Sequence, residues 1–322
     1  MPSLPQLAEI ESAAGIVHAE MSPTAQLCWP LLCERLGAEV WVKHENQTPV
    51  GAFKLRGGLV YFDNVDKAAI GTGGVISATR GNHGQSIAYA ARRRRIPATI
   101  VVPHGNSVEK NAAMRALGVD LIEQGNDFQD ALETAIALAS ERGLHLIPSF
   151  HPLLVAGVAT YSLELFRSVS HLDVAYVPIG LGSGICGMLA VRDALGLKTR
   201  VVGVVSSHAT AYAQSFEARA PVESAVTTML ADGMACRTPQ PDALQAILGG
   251  VDRIVQVSDA EVAGAMRTLF ECTHNTCEGA GAAAWAAAVQ EKSRLRGKKV
   301  AVVVTGGNVD RALFAAVLDE RC

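Results

Sequence analysis

The chain has 322 residues, 49% hydrophobic and 18% charged, with a formal net charge of −3. That balance excludes a disordered chain and offers no basic surface for nucleic acid, and no run approaches the roughly eighteen apolar residues of a membrane span. The length lies where a single hydrophobic core stops growing, so two domains in one chain are expected. The first residues carry Glu9, Glu11 and Glu20 without a basic stretch and an apolar core after it, so no secretory signal is expected and the cytoplasm is the expected compartment. Seven cysteines, an odd number scattered from Cys28 to Cys322, read as reduced thiols rather than a disulfide framework. Cys272, His274 and Cys277 have metal-like spacing, but without a second CxxC pair they read as thiols, not a zinc site.

In chain order, short β-branched runs alternate with longer helical patterns: "EVWVKHE", "GGVISAT", "PATIVVP", "VDLIEQ", "LHLIPSF", "VAYVPIG", "RVVGVVS", "DRIVQVS" and "KKVAVVVTGG". This is an α/β chain. Several runs are apolar at nearly every position, as expected of parallel strands covered on both faces. Helices are predicted over 127–142 and 258–271, the second opening with "SDAE", a Ser N-cap with Glu three residues on. Arg92 to Arg95 close the pattern "HGQSIAYAARRRR" and read as cations at a helix C-terminus rather than a phosphate-binding patch.

Two features point to chemistry. The stretch "TPVGAFKLRGG" sets Lys54 among apolar and glycine neighbours, where an ammonium either snorkels to water or has its pKa lowered for use. Three glycine-bearing loops, "SATRGNHGQS", "PIGLGSGICG" and "VVVTGGNVD", each follow a strand run and lead into a helix. The second leaves peptide N–H groups at a positive helix end, a cradle for a phosphate. Its Gly182, Gly184 and Gly187 also satisfy GxGxxG, but the next strand ends in "SSHA" without the acid that would hold a ribose hydroxyl, and a nicotinamide-dependent reductase fails on that point. A bilobal binding protein would not need Lys54 in this setting.

The order "SPT", "VKHENQTPVGAFKLRGG", "SATRGNHGQS", "FHPLLVAGVATYSLEL", "VPIGLGSGICG", "MLADGMA", "CEGAGA" and "VTGGN" resembles the fold type II pyridoxal-phosphate enzymes, in the branch of threonine and serine dehydratases and serine racemase. The resemblance covers nearly all of the chain. It implies the tryptophan synthase β-like architecture, two open, mostly parallel sheets with helices on both faces, in a large cofactor-binding domain (1–51 and 153–322) and a small mobile domain (52–152). It implies that Lys54 holds the aldehyde of pyridoxal 5'-phosphate as a Schiff base, Phe53 packs near the cofactor, and Asn82 bonds the ring hydroxyl. Gly180, Leu181, Gly182, Ser183 and Gly184 bind the phosphate, and Thr305 meets the pyridine nitrogen. Ser77, Thr79, Arg80, Gly81, Asn82 and His83 are the substrate-binding candidates. A homodimer is implied in the same way.

The expected chemistry is elimination. The substrate amine displaces Lys54, which then removes the Cα proton. A hydroxyl at the ring nitrogen, unlike an Asp, does not hold a proton there, so a β-hydroxyl is expected to leave promptly and give a 2-oxo acid and ammonia. The acid that protonates the leaving hydroxyl is Lys54 or the cofactor phosphate, and both readings stay open. Threonine or serine is the default substrate, with phenylserine and 3-hydroxyaspartate as alternatives; β-replacement, as in a cysteine synthase, fits the "GNH" and "EGAGA" settings less well.

Departures from the family pattern add expectations. Where metal-dependent members carry a glutamate, an alanine carbonyl and an aspartate, this chain has Val205, Ala209 and Ala211, so no divalent metal is expected, although backbone carbonyls suffice for a monovalent cation. Ala52 replaces a frequent serine, and Arg80 stands where racemases have a proton-delivering serine. An arginine stays charged at neutral pH and cannot take that part, so elimination without racemisation is expected. With the chain stopping at Cys322, a C-terminal regulatory domain is not expected.

Overall fold

Ten strands lie among the residues that the computed structural model describes, 4–71 and 73–321: β1 (Gln26–Cys28), β2 (Glu39–His44), β3 (Val75–Ala78), β4 (Ala98–Val102), β5 (Asp120–Glu123), β6 (His145–Leu146), β7 (Val174–Pro178), β8 (Arg200–Ser206), β9 (Arg253–Val257) and β10 (Lys299–Val304). All nine apolar runs become strands. They form a six-stranded sheet in the order β1-β2-β10-β7-β8-β9 and a four-stranded sheet in the order β5-β4-β3-β6. Every pairing is parallel except β1 with β2. That antiparallel edge strand, three residues long, is too short to show a period in the sequence.

The strand repeat of two assigns alternate side chains to opposite faces. In the larger sheet Val174, Tyr176, Val202, Val204, Val300 and Val302 enter one core cluster, around Trp285 of the alanine-rich helix Gly279–Gln290. Ala175, Val177, Val201, Val205, Ala301 and Val303 enter the cluster on the other face, with helix Ser183–Ala194. The smaller sheet divides likewise, with Val75, Ile100 and Val102 on one side and Ile76, Ala78 and Val101 on the other. Burial of both faces is why these runs lack polar alternation.

The predicted helices form over Phe128–Arg142 and Asp259–Thr273, the second with the full Ser258–Glu261 capping box. Arg92 to Arg94 end helix Asn82–Arg94, and Arg95 takes the left-handed C-cap conformation. Arg93 pairs with Glu20 at 2.6 Å, Arg94 pairs with Asp63, and Arg92 donates to the Ala116 carbonyl, so the basic run is tied down by its neighbours.

Helix Lys54–Asn64 runs between helices Asn82–Arg94 and Pro152–Ser168. A Cβ on Gly157 would stand 2.3 Å from the Arg56 carbonyl oxygen, so glycine permits this close approach. Arg56 is fully buried and bonds two carboxylates, through Nε to Glu45 at 2.7 Å and through Nη1 to Glu164 at 2.6 Å. Lys43 adds a 2.6 Å bond to Glu164. Burial alone would push the Glu164 carboxyl up, but Arg56 and Lys43 override it and hold its pKa at about 2. This buried set of two cations and two carboxylates, which His18 joins at 2.8 Å from Glu164, is anchored two residues along the helix from Lys54.

The described cysteines Cys28, Cys33, Cys186, Cys236, Cys272 and Cys277 are free thiols; Cys322 lies outside the described residues. Among the described residues no three His, Cys, Asp or Glu side chains gather as a metal site. No described helix is long and apolar enough to cross a membrane.

Candidate active site

The crevice opens at the carboxyl ends of the parallel strands, where β7, β10 and β3 release their glycine loops. It encloses about 900 Å³, part of it open to solvent, and brings together residues from both sheets. Segment 51–53 pairs with the loop after β10: Phe53 N donates to the Thr305 carbonyl at 3.0 Å and Gly307 N to the Gly51 carbonyl at 2.9 Å. That pairing sets Lys54, the first residue of its helix, beside the cavity.

The Lys54 ammonium donates to Ser183 Oγ at 3.0 Å and stands 5.1 Å from the centre of the Phe53 ring. Among the described residues it has no carboxylate partner. Desolvation without a counter-charge pushes its pKa down from 10.5 to about 8. The Phe53 ring meets Tyr161 edge-on at 6.2 Å, and Tyr161 Oη donates to the Gly184 carbonyl at 2.9 Å.

Beside Lys54 the loop Gly180–Gly182 leads into helix Ser183–Ala194, whose N-terminus has no side-chain cap. Gly182 has φ +97°, a conformation that L side chains rarely adopt, and a Cβ on Gly180 would stand 2.4 Å from the Gly233 carbonyl oxygen. Tyr212 Oη donates to the Leu181 carbonyl at 3.1 Å and accepts from Gln240 N at 3.0 Å, which fixes the loop from behind. An uncapped, glycine-lined helix N-terminus facing a cavity is built for an anion such as a phosphate.

The loop after β3 supplies the third wall. Thr79 Oγ1 accepts from Gly81 N at 2.9 Å and Gly84 N at 3.1 Å, and Gly81, at φ +142°, leads into helix Asn82–Arg94, which also lacks a side-chain cap. Asn82 Nδ2 donates to Glu278 Oε1 at 2.6 Å and its Oδ1 accepts from Asn308 at 2.9 Å, so the orientation of its amide is set from two sides. His83 is buried, and burial followed by the Lys54 charge pushes its pKa down to about 3, so it is neutral at physiological pH. Arg80, Gly81 and Thr305 also line the cavity. Ser77 does not: it points away within β3 and donates to the Ile147 carbonyl at 2.9 Å, so the substrate-binding expectation for Ser77 is corrected. Strand alternation turns Ala78, not Ser77, to the crevice.

Three charged side chains at the site have no sequence signal of their own as a set. Lys110 is 5% exposed and reaches across the crevice, donating to Asp232 Oδ2 at 2.7 Å with Glu278 Oε2 at 3.1 Å. Burial alone would lower the Lys110 pKa, but the two carboxylates outweigh it and raise it, so the ammonium stays charged. Burial raises the pKa of Glu278. Asp232 and Glu278 lie inside "MLADGMA" and "CEGAGA", segments that carry the family resemblance, whereas nothing in "NSVEKNAA" distinguishes Lys110 from a solvated helix lysine. Phe128, Ser149 and Met234 also line the cavity.

Residues 20–306 match the family model described as pyridoxal-phosphate dependent enzyme, and the chain belongs to that family. It is similar to an L-threonine ammonia-lyase of Thermotoga maritima, 31% identical over 98% of this chain and 78% of the relative. It is similar to an L-threo-3-hydroxyaspartate ammonia-lyase of Pseudomonas sp, 33% identical over 88% of each chain. Among solved structures, maize serine racemase superposes with a TM-score of 0.91 at 25% identity, covering 99% of this chain and 98% of that one. The processed threonine deaminase isoform 2 of Solanum lycopersicum gives 0.88 at 26% identity, covering 99% and 95%. The fold type II architecture expected from the sequence is the one observed.

Proposed function

We propose that the chain is a pyridoxal-phosphate-dependent dehydratase, an ammonia-lyase that removes water from an L-3-hydroxy amino acid and yields a 2-oxo acid and ammonia. The observation that carries this reading is Lys54, a lysine without a carboxylate partner among the described residues, its pKa lowered to about 8, hydrogen-bonded to the first residue of an uncapped glycine-lined helix N-terminus in one cavity. The Thermotoga maritima and Pseudomonas relatives support it, since both are named ammonia-lyases of hydroxy amino acids.

The residues fit the cofactor: Lys54 to hold it covalently, Gly180 to Gly184 to bind its phosphate through peptide N–H groups, Asn82 for the ring hydroxyl, Thr305 for the ring nitrogen and Phe53 beside it. When bound, pyridoxal phosphate supplies a sink for the electron pair left at Cα. Lys54 Nζ takes the Cα proton, and a free amine with a pKa near 8 is a competent base close to neutral pH. Ser183 Oγ, 3.0 Å away, holds Nζ in place. Neutral His83 and the uncapped N-terminus of helix Asn82–Arg94 face the space where the substrate carboxylate would bind. Thr305 offers a hydroxyl rather than a carboxylate, which favours rapid loss of the β-hydroxyl over a long-lived carbanion.

The smaller sheet falls wholly within 52–152, in keeping with a small domain there that moves against the rest. A homodimer, a cytoplasmic location and a monovalent cation held by backbone carbonyls belong to the same proposal. The test is a panel of L-serine, L-threonine, phenylserine and L-threo-3-hydroxyaspartate with cofactor-loaded protein, reading 2-oxo acid and ammonia. Equal release of both from at least one substrate is expected, and release from none would contradict the proposal.

A further inference from the structure

Arg80 lines the cavity, its side chain is only partly exposed, and its Nε is buried without a hydrogen-bond partner. Among the described residues the guanidinium pairs with no carboxylate, and the acids that line the cavity, Asp232 and Glu278, are both engaged by Lys110. Lys110 lies against the next residue: its side-chain carbons occupy the space where a Cβ on Gly81 would be, 2.4 Å away. Two cations therefore flank the backbone of Gly81, one saturated and one free.

A buried donor without a partner is unfavourable unless a ligand completes it, and an arginine fork is shaped for a carboxylate. In the dehydratase reading the α-carboxylate common to all amino acids takes the uncapped N-terminus of helix Asn82–Arg94. Arg80 is left over. We infer that Arg80 recognises a second carboxylate, carried on the β-carbon of the substrate, so that the site prefers a 3-hydroxy dicarboxylic amino acid to threonine, serine or an aromatic analogue. This inference rests on the dehydratase reading and names its substrate class. Lys110 makes the preference feasible, because its ammonium pairs with both Asp232 and Glu278 and offsets part of the negative charge that would otherwise repel a dianionic ligand across the cavity.

The test separates recognition from elimination. L-Aspartate and L-alanine have no leaving group at Cβ, so their binding to the cofactor-loaded enzyme can be titrated through the visible absorbance without loss of water. The wild type is expected to bind L-aspartate at least about tenfold more tightly than L-alanine, and Arg80→Gln to remove that margin through the aspartate affinity alone, with Arg80→Lys recovering part of it. In steady state, kcat/KM for L-threo-3-hydroxyaspartate over that for L-threonine should fall by a similar factor in Arg80→Gln, mainly through KM. An unchanged aspartate-to-alanine ratio in Arg80→Gln, an equal loss for both amino acids, no aspartate binding at all, or a wild-type preference for phenylserine would each overturn the inference. Failure to release any 2-oxo acid while aspartate binds through Arg80 would instead overturn the dehydratase reading and leave the recognition intact.

Discussion

Lys110 Nζ lies 2.7 Å from Asp232 Oδ2 and bridges elements of both sheet units, since Lys110 sits on helix Val108–Ala116 beside the smaller sheet and Asp232 in the turn Asp232–Met234 of the larger unit. The same ammonium faces Glu278, which holds the amide of Asn82. The three contacts couple the closeness of the two units to the orientation of the residue proposed for the cofactor ring hydroxyl.

Replacing Lys110 by Met leaves Asp232 and Glu278 facing each other without a cation. Breaking such a pair in a protein interior costs about 3–5 kcal/mol when the partner stays buried, and the low end applies here because Asp232 is partly exposed. Lys110→Met is expected to lower the melting temperature and weaken cofactor binding together, whereas Glu278→Gln, which keeps an acceptor for Asn82, weakens cofactor binding less. Calorimetry and cofactor titration check this; an unchanged melting temperature and affinity in Lys110→Met would contradict it.

Arg56→Met strands Glu45 and Glu164, both nearly or fully buried, without their guanidinium. A loss of about 3–5 kcal/mol in urea unfolding is expected, larger than for any exposed ion pair of this chain. Arg35→Met, which breaks an exposed pair with Glu271, should cost under about 1 kcal/mol. Similar midpoints for the two variants would show that the buried set does not anchor the helix of Lys54.

The lowered pKa of Lys54 has a defined sign in stability. Its folded value, about 8, lies below the ordinary 10.5, so the unfolded chain binds the extra proton between those two values. Protonated Lys54 therefore opposes folding below about pH 8, and this opposition is relieved as pH rises from about 8 to 10.5. Cofactor-free Lys54→Met protein should melt higher than cofactor-free wild type at pH 7, with the gap narrowing by pH 10. Capture of the cofactor aldehyde by Lys54 should accelerate with pH up to about 8 and then level off. A gap that widens with pH would contradict the assignment.

Much of this was legible in the sequence because it is local. A glycine loop after a strand run announces an uncapped helix N-terminus, and Lys54 stands out because its neighbours are apolar; Asn82, Gly182 and Thr305 are found in such loops. Ser77 was misread because the loop motif extends back into β3, where the two-residue repeat turns its hydroxyl into the smaller sheet. Lys110 escaped notice for the opposite reason. Nothing in "NSVEKN" distinguishes it from a solvated helix lysine, and its partners are 122 and 168 residues away in the chain. Strand β1 was missed because three residues of an edge strand carry no pattern.

Lys54 is the residue proposed to carry the cofactor. The most direct measurement is to load the protein with pyridoxal phosphate, reduce it with borohydride, and map the modified peptide by mass. A single pyridoxyl label on Lys54 is expected, absent in Lys54→Ala, with turnover of hydroxy amino acids lost in that variant while its melting curve stays cooperative. A label on Lys110 or another lysine, or turnover retained by Lys54→Ala, would contradict it.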